Sequence, residues 1–456
     1  MSEEATLDEF ADSPETENEE SEQPESRFWG KIPDGWELVN GSEVYDVNPN
    51  PKPSEEPNTY IEMDALDTEL PWPKYFGKRN ASEYSGKTFT EGDTLFARIT
   101  PCTENGKAAF VPEMETEVGI GSTEYAVLSP KTDRIHPWLL YYLGKSHSVH
   151  NYAVSRMRGS TGRQRVPFSV FRRELDIALP PVEEQRKIAT VLYTADRAIK
   201  KTEQIVDQVS RIKKAVTHNL LSGNGSNASV KSFRVGPKEI ELPKDWKVER
   251  VGNISDIKNG NRIVKGHDYS DSVTEYPFIR IVNMENGTVS TDEIKYLKQE
   301  TAEKMMRGII HSDDVYITVT GRVGDAGTIP DKLDGARFTD NAAKLYNLDG
   351  ILPEYLSLYL RSKFGQDEVH RFTVGSTQPK LSMFRVEKME VIVPPLEEQE
   401  RTINQVNNIN ESRKSNERII QQLKSLKRGL MQDLLSGTVR TTDTNIEVPE
   451  EIAQHG

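Results

Sequence analysis

From Ile188 the chain sets a mostly apolar residue at alternating steps of four and three, through Leu192, Ala195, Ile199, Thr202, Val206, Val209, Lys213, Val216 and Leu220. That spacing is the seam of a coiled coil, and it predicts one long amphipathic helix. Adding 214 to each number gives Thr402, Val406, Ile409, Arg413, Asn416, Ile420, Leu423, Lys427, Leu430 and Leu434, again mostly apolar. The words around the two seams repeat as well. Pro180-Pro181-Val182-Glu183-Glu184-Gln185 returns as Pro394-Pro395-Leu396-Glu397-Glu398-Gln399, and Asn219-Leu220-Leu221-Ser222-Gly223 returns as Asp433-Leu434-Leu435-Ser436-Gly437. Proline loses little in a first helical turn, the glutamates suit the positive end of the helix dipole, and glycine ends a helix readily. Each helix is expected to run for about 40 residues and about 60 Å, and such a helix must bury its stripe against a partner. Antiparallel pairing within the chain would place two globular domains at opposite ends of a rod.

What precedes each helix is also duplicated. Ile32-Pro33-Asp34-Gly35-Trp36 is echoed by Leu242-Pro243-Lys244-Asp245-Trp246. The turn and apolar strand pattern at 92–98 is echoed at 312–318, and the proline-led short helix at 137–143 is echoed at 353–359. Gly159-Ser160-Thr161 matches Gly375-Ser376-Thr377, after which Phe171 and Phe384 lead into strands at 175–179 and 389–393. The fold class expected is α+β, with two similar mixed α/β domains each followed by a long helix, the two helices packing as an antiparallel coiled coil. The expected boundaries are an acidic disordered tail over 1–27, a first domain over 28–180 and a central helix over 181–222. A flexible Ser/Asn/Gly linker over 223–234, a second domain over 235–394, a C-terminal helix over 395–436 and a tail over 437–456 follow.

At 456 residues the chain is long enough for two or three cored domains. Its formal net charge of -14 says little about the body. Residues 1–26 hold eleven Asp or Glu and no Lys or Arg, and 438–456 contribute a further -3, so 27–437 is neutral. The N-terminal stretch has too little apolar surface to offset its ordering entropy, which predicts disorder. One cysteine, Cys102, excludes an internal disulfide framework and suits a reducing cytosol. No apolar run approaches the roughly 18 residues of a membrane span, and the acidic N-terminus is the reverse of a signal peptide. A cytoplasmic protein without a membrane partner is expected.

Catalysis finds little support. Residues 81–88 satisfy a relaxed phosphate-loop pattern, but neither a strand before them nor a helix after them is predicted. His147 and His150 lack companions at metal-ligand spacing, so no metal site is expected. There is no Gly-x-Ser-x-Gly elbow, and the double prolines are not followed by the aromatic residue of an amino-methyltransferase loop. The basic residues say more. Arg156, Arg158, Arg163, Arg165, Arg172 and Arg173, with Gln164 among them, crowd the first glycine loop, and Arg371, Gln378, Lys380 and Arg385 occupy the equivalent stretch of the second half. Arginine can fork onto guanine or phosphate and glutamine can pair with adenine, whereas a single cluster is as readily a solvated surface with local ion pairs. Two clusters at equivalent places in a neutral body favour DNA contact. Arg98, Lys107, Arg280, Asn283, Arg322, Arg337 and Lys344, in turn or loop contexts, are further candidates.

The doubled Pro-Pro-x-Glu-Glu-Gln, the helices ending in Leu-Leu-Ser-Gly, the Gly-Ser-Thr loops and the Pro-x-x-Trp openings occur in one order, twice. In this the chain resembles the specificity subunits of type I restriction-modification systems, over nearly all of 28–437. The resemblance implies two target-recognition domains, each reading one half of a split DNA sequence, with the antiparallel helices as a ruler between them. The partners implied are double-stranded DNA and two modification subunits, which carry S-adenosylmethionine and methylate adenine at N6 after flipping it from the duplex. Restriction subunits, which use ATP and Mg and cut DNA, are also implied, and this chain itself is expected to hold no catalytic residue and no cofactor. Competing readings are a methylation-only specificity subunit, a coiled-coil adaptor with no DNA role, and a self-sufficient methyltransferase or nuclease, whose motifs are missing.

Overall fold

The computed structural model describes residues 25–455 apart from Arg27, Tyr84, Thr161, 224–228, 264–268 and Ser376. Most of the acidic tail expected over 1–27 therefore lies outside the described residues. The chain divides into two compact units, Met1–Glu203 with Arg418–Gly456, and Gln204–Glu417.

Both units are built on one plan. In the first, an antiparallel sheet runs Tyr45–Val47, Tyr125–Pro130, Thr94–Ala97, Ala108–Phe110. In the second unit the same order is Asp256–Asn259, Ala342–Tyr346, Val315–Thr318, Ala326–Thr328. A second sheet in each unit contains one parallel pair, Asn58–Ile61 with Gly119–Gly121 and Pro277–Ile279 with Ala336–Phe338. The strand before each double proline closes the domain by pairing with the strand after the Pro-x-x-Trp opening, Asp176–Leu179 with Glu37–Asn40 and Glu390–Val393 with Lys247–Arg250. Apolar residues of these strands and the proline-led helices Pro137–Lys145 and Pro353–Arg361 fill the two main cores.

The long helices are Val182–Leu221 and Leu396–Leu435, 40 residues each, and no seam position predicted above is exposed. Within the first unit Asp196 meets Lys427 at 2.5 Å and Glu203 meets Lys424 at 3.2 Å, so the two segments run in opposite directions. Within the second, Leu221 from the end of one helix and Ile403 from the start of the other share a core, the same antiparallel sense. Burial along the seam is what the apolar spacing asked for.

The motif at the start of each helix works through its glutamine. The Gln185 side chain accepts from His136 N and donates to the Arg134 and Pro180 carbonyls, at 2.7, 3.1 and 2.9 Å. Gln399 accepts from Leu352 N and donates to the Gly350 and Pro394 carbonyls, at 2.8, 2.9 and 2.9 Å. Both glutamines are buried, and each ties the helix start to the turn before the proline-led helix. At the other end, Gly223 and Gly437 have positive φ of 66° and 71°, and a β-carbon there would collide with Pro243 and Pro33 respectively. The stop of each helix is thereby seated on a Pro-x-x-Trp opening.

Three boundaries differ from expectation. The tail expected to be disordered over 1–27 ends in a strand, because Glu25–Ser26 pairs with Gly30–Lys31. The linker expected over 223–234 ends in a strand, because Val230–Val235 pairs with Lys238–Pro243 as a hairpin. The segment after Gly437 packs on the first unit. Arg440 donates to both oxygens of the buried Glu184 at 2.8 Å, Trp36 Nε1 donates to the same carboxylate at 2.9 Å, and Ile452 is fully buried in the core. Burial alone would raise the Glu184 carboxyl, but the hydrogen bonds from Arg440, Trp36 and Thr441 N hold it below its usual range.

A polar cluster sits where the first helix pair meets its domain. Asp196, fully buried, accepts from Tyr142 Oη at 2.8 Å and pairs with Lys427, which also donates to the Glu69 carbonyl. Burial pushes the Asp196 carboxyl up despite Lys427. In the second unit the corresponding positions are Asn410 and Lys213, 214 residues away. Removing the acid alone leaves a buried ammonium without its counter-charge. Asp196→Asn is expected to cost about 3 kcal/mol in denaturant unfolding, and Asp196→Asn with Lys427→Met to recover most of it. Equal stability of Asp196→Asn and the parent would show that the pair holds nothing together.

Candidate nucleic-acid interface

In each unit three segments come together beyond the strand ends. In the first they are the tight turn Met63–Ala65, the loop 98–107 and the hairpin 157–166 that carries Gly159 and Ser160. Arg158 and Arg165 exchange backbone hydrogen bonds of 2.9 and 2.8 Å, Thr100 N donates to the Gln164 carbonyl, and Val166 N to the Arg98 carbonyl. Lys107 Nζ donates to the Met63 carbonyl at 3.1 Å and joins the loop to the turn. In the second unit the same parts are Ile281–Asn283, 319–325 and 374–381. Val374 and Lys380 exchange backbone bonds, Leu381 N donates to the Val319 carbonyl, and Arg322 donates to the Ile281 carbonyl at 2.7 Å. The hairpins need their glycines, since a β-carbon on Gly159 or Gly375, both at positive φ, would strike the carbonyl of Arg163 or Gln378.

The candidate cations fall into two groups. One is occupied inside the units. Arg165 forks onto Glu124 at 2.7 to 3.0 Å, and Arg98 lies 3.6 Å from the same carboxylate, donates to the Val166 carbonyl and covers the Phe168 ring. Arg156 forks onto Glu174 at 2.5 and 2.9 Å, and Lys107 also pairs with Asp64 at 3.2 Å. Hydrogen bonds to Glu124 and Glu174 raise the Arg165 and Arg156 guanidinium pKa, whereas burial lowers that of Arg98. In the second unit Arg280 donates to the Glu293 carbonyl, Asn283 is buried and caps its own turn, and Arg322 pairs with Asp325. Arg337 donates to the Gly335 carbonyl and lies over Tyr276, Lys344 pairs with Asp314 in the core, and Arg371 pairs with Glu368.

The other group is held out to solvent. Arg158 and Arg163 on the first hairpin, and Gln378 and Lys380 on the second, are exposed, and among the described residues their side chains make no ion pair or hydrogen bond. Gln164 is half-buried between them and uses its backbone to hold the loop. Glu124, which pins two arginines from 41 and 26 residues away in sequence, had no local signal in the chain. Among the described residues no group of three or more His, Cys, Asp or Glu is placed to hold a metal ion, and no helix is long and apolar enough to cross a membrane.

The family model described as "Type I restriction modification DNA specificity domain" matches this chain twice, over 33–211 and 243–425. The chain belongs to this family. Each match runs from a Pro-x-x-Trp opening through one domain and along most of the helix that follows, so the DNA specificity domain is present in two copies. The type I restriction enzyme MjaVIII specificity subunit of Methanocaldococcus jannaschii is 24% identical over 336 residues, which cover 72% of this chain and 76% of that one. The EcoAI specificity subunit of Escherichia coli is 33% identical over 162 residues, 35% of this chain and 27% of that one. A solved chain from a study of complex assembly in the type I restriction-modification system has the same fold, with a TM-score of 0.59 at 18% identity, covering 90% of this chain and all of that one. The sequence expectation of two specificity domains with antiparallel long helices therefore stands, and the segment after residue 425 lies beyond the second match.

Proposed function

We propose that this chain is the DNA-reading specificity subunit of a type I restriction-modification complex, in which each unit recognises one half of a bipartite target in double-stranded DNA. The observation that carries the reading is the doubled specificity domain, each copy presenting a hairpin with free polar side chains on a framework of internally paired cations. In this reading Arg158 and Arg163, and Gln378 and Lys380, reach phosphates or base edges, while Arg98, Arg165, Lys107 and Arg322 hold the loops in shape. Cations already committed to carboxylates and carbonyls gain less from a phosphate than free ones.

The chain recognises and does not catalyse. Two modification subunits bring S-adenosylmethionine and methylate adenine, and restriction subunits bring ATP hydrolysis and Mg-dependent cleavage, in the cytoplasm. Two equal docking places support a pair of modification subunits. Ile205 and Ile212 in the second unit are exposed apolar residues on a long helix, and the residues 214 further on, Ile419 and Leu426 in the first unit, are exposed too. Two residues seven apart share one helix face, so each unit offers one apolar stripe of the same kind.

For the assembled methylase, Arg158→Ala with Arg163→Ala is expected to weaken DNA binding at least about tenfold and to reduce the slope of log affinity against log salt by about one to two. An unchanged affinity and slope would remove this hairpin from the interface. Ile205→Glu with Ile212→Glu is expected to leave one modification subunit per chain by native mass spectrometry, and adding Ile419→Glu with Leu426→Glu to leave none. Two subunits retained in the fourfold variant would contradict the docking assignment.

A further inference from the structure

The turns Met63–Ala65 and Ile281–Asn283 are equivalent by register. Ile61 pairs with Gly121 and Ile279 with Phe338 in the parallel strand pair of each unit, and the turns begin two residues later. They are also held in the same way. A cation from the neighbouring loop donates to the carbonyl of the first turn residue, Lys107 to Met63 and Arg322 to Ile281. Arg322 donates to the Met284 carbonyl as well, and a β-carbon on Gly321 would stand 3.2 Å from Ile281 Cδ1, so that loop lies against the turn. Through the same loop each turn is linked to the hairpin described above, by Thr100 N to the Gln164 carbonyl in one unit and Leu381 N to the Val319 carbonyl in the other.

On this common frame the middle residue differs in kind. It is Asp64 in the first unit, whose side chain is 86% exposed, and Val282 in the second, 63% exposed. Neither is needed for packing. One Asp64 oxygen meets Lys107, which leaves the carboxylate's remaining acceptor positions to solvent. A rigid frame that repeats while its outermost side chain changes from a carboxylate to a branched apolar group is what two readers of different bases require.

Resting on the DNA-reading function above, we propose that Asp64 and Val282 are specificity-determining residues at corresponding positions of the two half-sites. Asp64 accepts a hydrogen bond from the exocyclic amino group of cytosine in the major groove, and Val282 packs on the methyl group of thymine. A carboxylate has no donor and is repelled by the acceptors of guanine, whereas a valine rewards only the one base that offers a methyl group there. The turn gives each side chain a fixed reach, because its backbone is clamped by a charge-assisted hydrogen bond.

The test is modified-adenine mapping with the full chain in its assembled methylase, on a library of randomised half-sites. Asp64→Ala is expected to relax one base pair in one half-site, with discrimination for C·G falling at least about fivefold, and to leave the other half-site unchanged. Val282→Ala is expected to relax one T·A position in the other half-site only. Asp64→Asn is expected to move the preference at that position toward adenine, which asparagine pairs through N6 and N7. Both side chains are largely exposed, so folding is expected to survive, and thermal unfolding of each variant verifies it. Unaltered specificity in folded Asp64→Ala and Val282→Ala would overturn the proposal. If the Arg158→Ala, Arg163→Ala methylase also kept its full affinity, the loop cluster as a whole would fail as the DNA site; if it lost affinity, only the reader assignment would fail.

Discussion

The direction in which each long helix leaves its domain is set by one buried glutamine. Gln185 and Gln399 each have three backbone partners, two in or beside the turn before the proline-led helix and one at the first proline of the motif. A buried amide with any of these partners missing costs about 1 to 3 kcal/mol, so the helix has one well-satisfied path out of the domain. The prolines fix where the helix starts, and the glutamates at the opening suit its dipole. Glu184 does more in the first unit, where Trp36 and Arg440 converge on it and bring the end of the second helix back to the same junction. Helix start, helix stop and domain edge thus meet in one polar knot.

From that knot the strand before the prolines runs back to the hairpin that faces solvent. The loops there use most of their charge on themselves. Glu124 ties Arg98 and Arg165, Glu174 ties Arg156, and Lys107 and Arg322 tie the turns to their loops. Such bonds spend binding potential on rigidity, and rigidity keeps the free side chains from losing conformational entropy when they meet a ligand. A neutral body with cations fixed in place also keeps nonspecific attraction to the DNA backbone low, which favours discrimination over bulk affinity.

The repeat carried much of the fold into plain view in the sequence. Seam spacing, doubled prolines and terminal glycines located both helices to within a residue or two, because each is a local rule of helix physics. The strand at 230–235 was hidden, since its residues are mostly exposed and its Ser/Asn/Gly neighbourhood reads as a turn. The packing of 438–456 was hidden for another reason. Its acidic residues look like a solvated tail, and only the fold brings Arg440 to Glu184, 256 residues away in sequence. The same distance blindness applies to the interface. Sequence could mark a cluster of arginines, but which of them are free depends on carboxylates supplied by other strands and helices. Of the charged residues on the seam, Lys427 finds its acid in Asp196, one step from the seam.

If each unit reads one half-site and the paired helices set the gap between them, helix length must be written into the target. The direct test adds four residues to both helices, between Glu203 and Gln204 and between Glu417 and Arg418, and maps modified adenines with the assembled methylase. Four residues add about 6 Å of helix, about two base pairs of B-form DNA. The same two half-site sequences are expected, separated by a correspondingly longer spacer. An unchanged spacer with unchanged activity would contradict the role of the helices as a ruler.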